Sequence, residues 1–103
     1  MALIRACLLR GQVRWTRHVT MRFRHRSLGR EVLLNGADSL EIIEFYLDDK
    51  CLPSFLLRGD FESRTFHALV ATDVEGDNVR VVTMYVPSLD EWDSDYRVRR
   101  VTE

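Results

Sequence analysis

The sequence predicts an α+β fold in which two or three N-terminal helices pack on one face of a four-stranded antiparallel sheet. Three observations carry this expectation. Apolar residues recur at helical spacing before residue 40 and in strand-like runs after it. The later runs are separated by short stretches of turn-forming residues, which leave room only for hairpins. The 103 residues, 46% hydrophobic and 30% charged, suffice for one packed core but not two, so residues 1–103 read as a single domain.

The elements follow in order. Ala2 to Arg10 reads as a short helix, with Leu3, Ala6, Cys7 and Leu9 near one face and Gly11 as its stop. Thr16 is placed to cap a second helix running to about Arg26, with Val19 and Phe23 four apart on its core side. Leu28 to Leu34 reads as a third helix or helical turn, ended by Asn35-Gly36. Glu41 to Leu47, Ser54 to Arg58, Thr65 to Thr72 and Asn78 to Val86 are rich in β-branched, leucine and aromatic residues and read as strands. Asp48-Asp49-Lys50, Gly59-Asp60 and Val74 to Asp77 supply the turns between them. Pro87 ends the last strand, and Leu89 to Arg100 is open between a terminal helix and another strand.

Composition excludes several classes. The hydrophobic content is too high for a disordered chain, and no run approaches the roughly 18 apolar residues of a membrane helix. Arg5 and Arg10 interrupt the apolar start and make it a poor signal peptide, so a cytoplasmic protein without membrane partners is expected. Cys7 and Cys51 lack the spacing of a zinc or redox pair, and His18, His25 and His67 have no nearby cysteine; no metal or cofactor is expected.

Charge is unevenly distributed. The net charge of -1 conceals eight arginines and no acid in residues 1–30, an acidic stretch from 31 to 96, and a return to basic at Arg97, Arg99 and Arg100. Guanidinium forks suit phosphate and carboxylate alike. The segregation therefore fits either an anion-facing surface or a basic third that pairs internally with the acidic remainder.

Several separated motifs carry a resemblance: Thr16-Arg17-His18 with Arg22 and Arg26, EIIEFY at Glu41 to Tyr46, Pro53-Ser54, Arg64 to His67, VVTMYVP at Val81 to Pro87, Trp92, and Arg99-Arg100. In this order, over about residues 13 to 100, the chain resembles the small bacterial family called domain of unknown function 4258. Met21 and Ser27 stand where that family's helical signature carries an acid and a glycine. The resemblance implies a compact toxin of a toxin–antitoxin pair, with an antitoxin protein as partner. By analogy of fold it implies a RelE/barnase-like messenger-RNA ribonuclease.

Metal-free RNA cleavage needs a base for the 2′-hydroxyl, cations for the charged phosphorane, and an acid for the leaving 5′-oxygen. His18 and Arg22, four apart on one helix face, supply an imidazole and a guanidinium, Arg26 continues that ridge toward a nucleic-acid backbone, and Arg17 is a further candidate RNA contact. His67 lies on a strand face with Thr65 and Leu69; it is either a site histidine on an open sheet or one satisfied by a neighbouring element. Tyr85, with Thr83, is the candidate to orient or protonate a leaving oxygen. The catalytic set is thus His18, Arg22, His67 and Tyr85, with Arg97, Arg99 and Arg100 as further RNA contacts. Trp92 and Tyr96 are placed either to stack bases or to pack on the core. Grouping the apolar residues of the last two strands on one face requires partner numbers that sum to 150 or 152, which puts His67 and Tyr85 on the same side. The alternative function is a non-catalytic module binding RNA or protein through the arginine face.

Overall fold

The computed structural model describes residues 2–22, 29–47 and 52–100, the side chains of residues 18, 21 and 22 excepted. It contains helix α1 (Ala2–Arg10), strand β1 (Val13–Trp15), helices α2 (Arg17–Arg22) and α3 (Arg30–Asn35), a 3-10 turn (Ala37–Ser39), and strands β2 (Glu41–Tyr46), β3 (Ser54–Phe61), β4 (Arg64–Asp73) and β5 (Asn78–Tyr85). The strands form one sheet in the order β1-β5-β4-β3-β2.

Two parts of the expected architecture are corrected. The sheet is five-stranded and mixed, not four-stranded and antiparallel, because Val13–Trp15 pairs in parallel with Val79–Val81. Three residues are too few to show a period-2 pattern, so this strand is silent in the sequence. Two or three full helices are also not found: α1 has nine residues, α2 and α3 six each, so among the described residues one helix exceeds seven. In place of the RelE/barnase-like layout of helices on an antiparallel sheet, the described residues form a mixed sheet with one nine-residue helix and two six-residue helical segments. The expected extension of α2 to Arg26 falls on residues 23–28, outside the described ones.

α1 buries Ile4, Cys7 and Leu8, spaced three and four apart as one helix face requires. It stops at Gly11, whose φ of +75° is in the left-handed region glycine favours, while Gln12 N–H reaches back to the Cys7 carbonyl at 2.9 Å. Arg5 then fastens the helix to the turn after α3, donating to the carbonyls of Ala37 and Leu40, the latter at 2.7 Å. Thr16 caps α2 as its position suggests, its hydroxyl accepting the Val19 N–H at 3.3 Å.

The turns differ in one place. Gly59-Asp60 is not a turn but part of β3; the chain reverses at Glu62 and Ser63, both left-handed at φ 50° and 65°, as a two-residue hairpin loop needs. Gly59 is required for another reason. A Cβ there would sit 2.6 Å from the Phe66 ring, which lies across the strand.

Alternation then divides the sheet. One face carries Leu57, Phe66, Ala68, Val70, Val79, Val81 and Met84, which pack with Ile4, Leu8, Val19, Val32, Leu33 and Leu40 into the core. In the β4–β5 ladder His67 pairs with Tyr85, Ala68 with Met84 and Leu69 with Thr83, each pair summing to 152, one of the two even values expected. A bulge beside Val82 shifts the pairing to Val70 with Val81, and the four pairs from there to Asp73 with Asn78 sum to 151, so the expected even register holds only at the His67–Tyr85 end. The bulge moves Val81 and Val79, rather than Val82, onto the core face.

The opposite face is polar and is covered in part by residues 88–100. This segment is neither the helix nor the full strand considered from the sequence. It is a small hairpin bridged at Trp92 and Arg99, with Asp93 N–H on the Val98 carbonyl at 2.9 Å and Arg100 N–H on that of Glu91 at 2.8 Å. Its tip holds Tyr96 at φ 59° and is braced by the Asp93 carboxylate, which accepts the N–H of Arg97. No helix of the described residues is long and apolar enough to cross a membrane.

Candidate functional site

The polar face is built row by row from strand register. Glu41, Arg58, His67 and Tyr85 form one transverse row across β2 to β5; Glu44, Leu56, Leu69 and Thr83 form the next. Glu41 and Glu44 are three apart, which in a regular strand points them to opposite faces. A bulge at Ile43 restores them to the same side, where Tyr46 follows two residues later.

His67 is fully buried. Its Nε2 lies 2.8 Å from the Tyr96 carbonyl, which only accepts, so Nε2 carries the proton. Nδ1 is then the acceptor for the Tyr85 hydroxyl at 3.1 Å. Trp92, also fully buried, closes the imidazole off, ring edge to face at 4.4 Å and 85°. Burial pushes the His67 pKa below its ordinary value; the Tyr96 carbonyl opposes this and the nearby Arg58 and Arg99 guanidiniums reinforce it. Burial likewise pushes the Tyr85 hydroxyl up to about 12, so it remains a proton donor at neutral pH.

The low histidine pKa has a pH signature. Below about pH 6.5 the unfolded chain takes up a proton at this position while the folded chain resists it. Stability from His67 is therefore complete above that pH and lost as pH falls toward the lower folded pKa. Wild type minus His67→Gln, followed by urea unfolding between pH 7 and 5, is expected to show an extra slope of up to about 1.4 kcal/mol per pH unit. Parallel curves for the two proteins would refute the assignment.

At the β2 edge lies a more accessible cluster. Arg99 grips the Glu44 carboxylate with two bonds, Nε to Oε2 at 2.8 Å and Nη2 to Oε1 at 3.1 Å, and the Tyr46 hydroxyl donates to the same carboxylate. Partial burial would raise the Glu44 pKa, but the bonds from Arg99 and Tyr46 outweigh it and hold the carboxyl below its usual range. The Arg99 guanidinium also rests over the Trp92 ring, 4.6 Å from its centroid. Trp92 thus touches both His67 and Arg99. Arg97 is paired with Glu41 at 2.6 Å, and Arg58 bonds Asp60 and the Asp95 carbonyl. Arg100 donates to the Leu89 and Trp92 carbonyls.

Of the residues singled out from sequence, the structure brings together His67 and Tyr85, with Arg99 one ring away. His18 and Arg22 lie on α2, whose Val19 enters the core on the other side of the sheet; their side chains are outside the described ones, as is Arg26. Arg17 is exposed at the start of α2. Sequence reasoning did not find Glu44, Tyr46 and Arg58. The signal available was the pair of acids in EIIEFY on an otherwise apolar strand, concealed by the bulge. Among the described residues no three histidine, cysteine or carboxylate side chains gather as a metal site.

Fold and site together define a small α+β protein whose mixed sheet presents a charged, aromatic face under a C-terminal hairpin. The family model for the domain of unknown function DUF4258 matches residues 15–86, and the chain belongs to that family. No curated protein and no solved structure matches it.

Proposed function

We propose that the chain is a toxin-type endoribonuclease that cleaves RNA without a metal at the Glu44–Tyr46–Arg99 corner. The observation that carries this reading is one carboxylate receiving both a phenol and a guanidinium on a partly open sheet edge. These are the three groups that metal-free cleavage requires. Glu44, held ionised, takes the proton of the ribose 2′-hydroxyl. The 2′-oxygen attacks phosphorus and the bond to the 5′-oxygen breaks, leaving a 2′,3′-cyclic phosphate. Arg99 turns its fork from the carboxylate to the phosphate oxygens. Tyr46 gives its proton to the leaving oxygen and recovers one from Glu44 through their shared hydrogen bond. His67, covered and neutral, is a positioning residue: with Tyr85 it fixes the ring on which Trp92, and so Arg99, rests.

Incubating the purified chain with RNA in the presence of a chelator is expected to give cyclic-phosphate ends, and Glu44→Gln to abolish them. Expression in a bacterium is expected to arrest growth and the same substitution to relieve it. Salt-dependent RNA binding without any cyclic product would overturn the catalytic reading in favour of a binding module.

A further inference from the structure

Arg14 and Arg80 are partners across the parallel β1–β5 ladder. Their neighbours on either side, Val13 with Val79 and Trp15 with Val81, pack into the core on the helical side. Alternation therefore sends both guanidiniums to the polar face, where both residues are exposed. Like charges directly opposed weaken a ladder, and the other arginines of this face avoid the problem: Arg58, Arg97 and Arg99 each have a carboxylate partner. For Arg14 and Arg80 no carboxylate lies within ion-pair distance among the described residues. Beyond Arg80 the next residue in register is Ala71, which leaves low ground toward β3 and β2.

We propose that Arg14 and Arg80 form a phosphate subsite that holds the backbone of single-stranded RNA beside the cleavage corner. The proposal rests on the ribonuclease reading and extends it. Two arginines side by side on adjacent strands have backbones about 5 Å apart, so their forks can reach oxygens of one phosphodiester or of two successive ones. Three strand spacings, about 14 Å, separate β5 from β2, so a strand of a few nucleotides spans from this pair to Arg99. Two isolated cations are fewer than the cluster of basic residues by which proteins hold anionic membranes.

The test uses the full chain and a 2′-O-methylated RNA oligonucleotide, which binds but lacks the attacking hydroxyl. Affinity is measured against salt for wild type and for the double variant Arg14→Gln/Arg80→Gln. The variant is expected to lower the slope of log K on log salt by about 0.7 if the pair holds one phosphate and about 1.4 if it holds two. Cleavage of a dinucleotide is expected to be unchanged, while a longer RNA loses affinity. An unchanged salt slope, or a wild type that does not bind the oligonucleotide at low salt, would overturn the subsite; the appearance of cyclic phosphate decides the ribonuclease reading separately. Loss of binding to phosphatidylserine vesicles, with RNA binding intact, would also overturn it. The melting temperature separates folding from binding: relief of the opposed charges is expected to leave it equal or higher, and a fall would mark the pair as structural.

Discussion

Trp92→Ala is expected to destabilise the chain by about 3–5 kcal/mol, the cost of emptying a fully buried aromatic site. A two-stranded hairpin is marginal alone, so the bridge between Trp92 and Arg99 does not hold residues 88–100 in place. The indole does, by packing on His67 and beneath Arg99. Its loss releases the hairpin, opens His67 to water and frees Glu41 and Glu44 from Arg97 and Arg99. The indole N–H finds no acceptor among the described residues, which costs part of what the ring contributes. Trp92→Phe, which keeps most of the ring and removes that donor, is accordingly expected to stay within about 1.5 kcal/mol of wild type. Urea unfolding of the three proteins checks both statements. A loss below about 1 kcal/mol for the alanine variant would mean that the hairpin is held by something other than its tryptophan.

Arg99→Lys is expected to separate activity from stability. Lysine keeps the charge but cannot bond both Glu44 oxygens in a plane or lie flat on the indole. Because the pair is solvent-facing, with about half of the Arg99 side chain exposed, the stability change is expected to stay within about 1 kcal/mol. Cleavage, which needs a fork aimed at the phosphate, is expected to fall by about 10²–10³-fold. Equal small losses in both measurements would remove Arg99 from the reaction. A stability loss matching the activity loss would make its role structural.

The placement of His67 with Tyr85 was legible because even sums alone cover Phe66, Ala68 and Met84 together at that end of the ladder, although toward the turn the sum is the odd 151. The bulge beside Val82 was not legible, and it determines which valines enter the core. The same limit hid the Glu44 corner, since a single extra residue at Ile43 reverses the face of everything before it. α1 is found with the expected bounds, and α3 is the shorter of the two forms its sequence allowed, a six-residue turn that buries Val32 and Leu33 on the sheet. Strand β1 went unread because its pairing is made with residues far along the chain. The three C-terminal arginines were recognised as a cluster, but composition alone did not show that acids of β2 hold two of them.

The parallel pairing of Val13–Trp15 with Val79–Val81 also has a temporal consequence. Strands β2 to β5 are joined by hairpins and can assemble as each is made, whereas β1 must wait for a partner more than sixty residues later. Loop closure over such a distance is slow, and the α1 residues that pack on β5 wait with it. During synthesis on the ribosome, the basic N-terminal third therefore emerges first and docks last. The Arg14–Arg80 pair does not exist until β5 has been translated, so a nascent chain shorter than that lacks it.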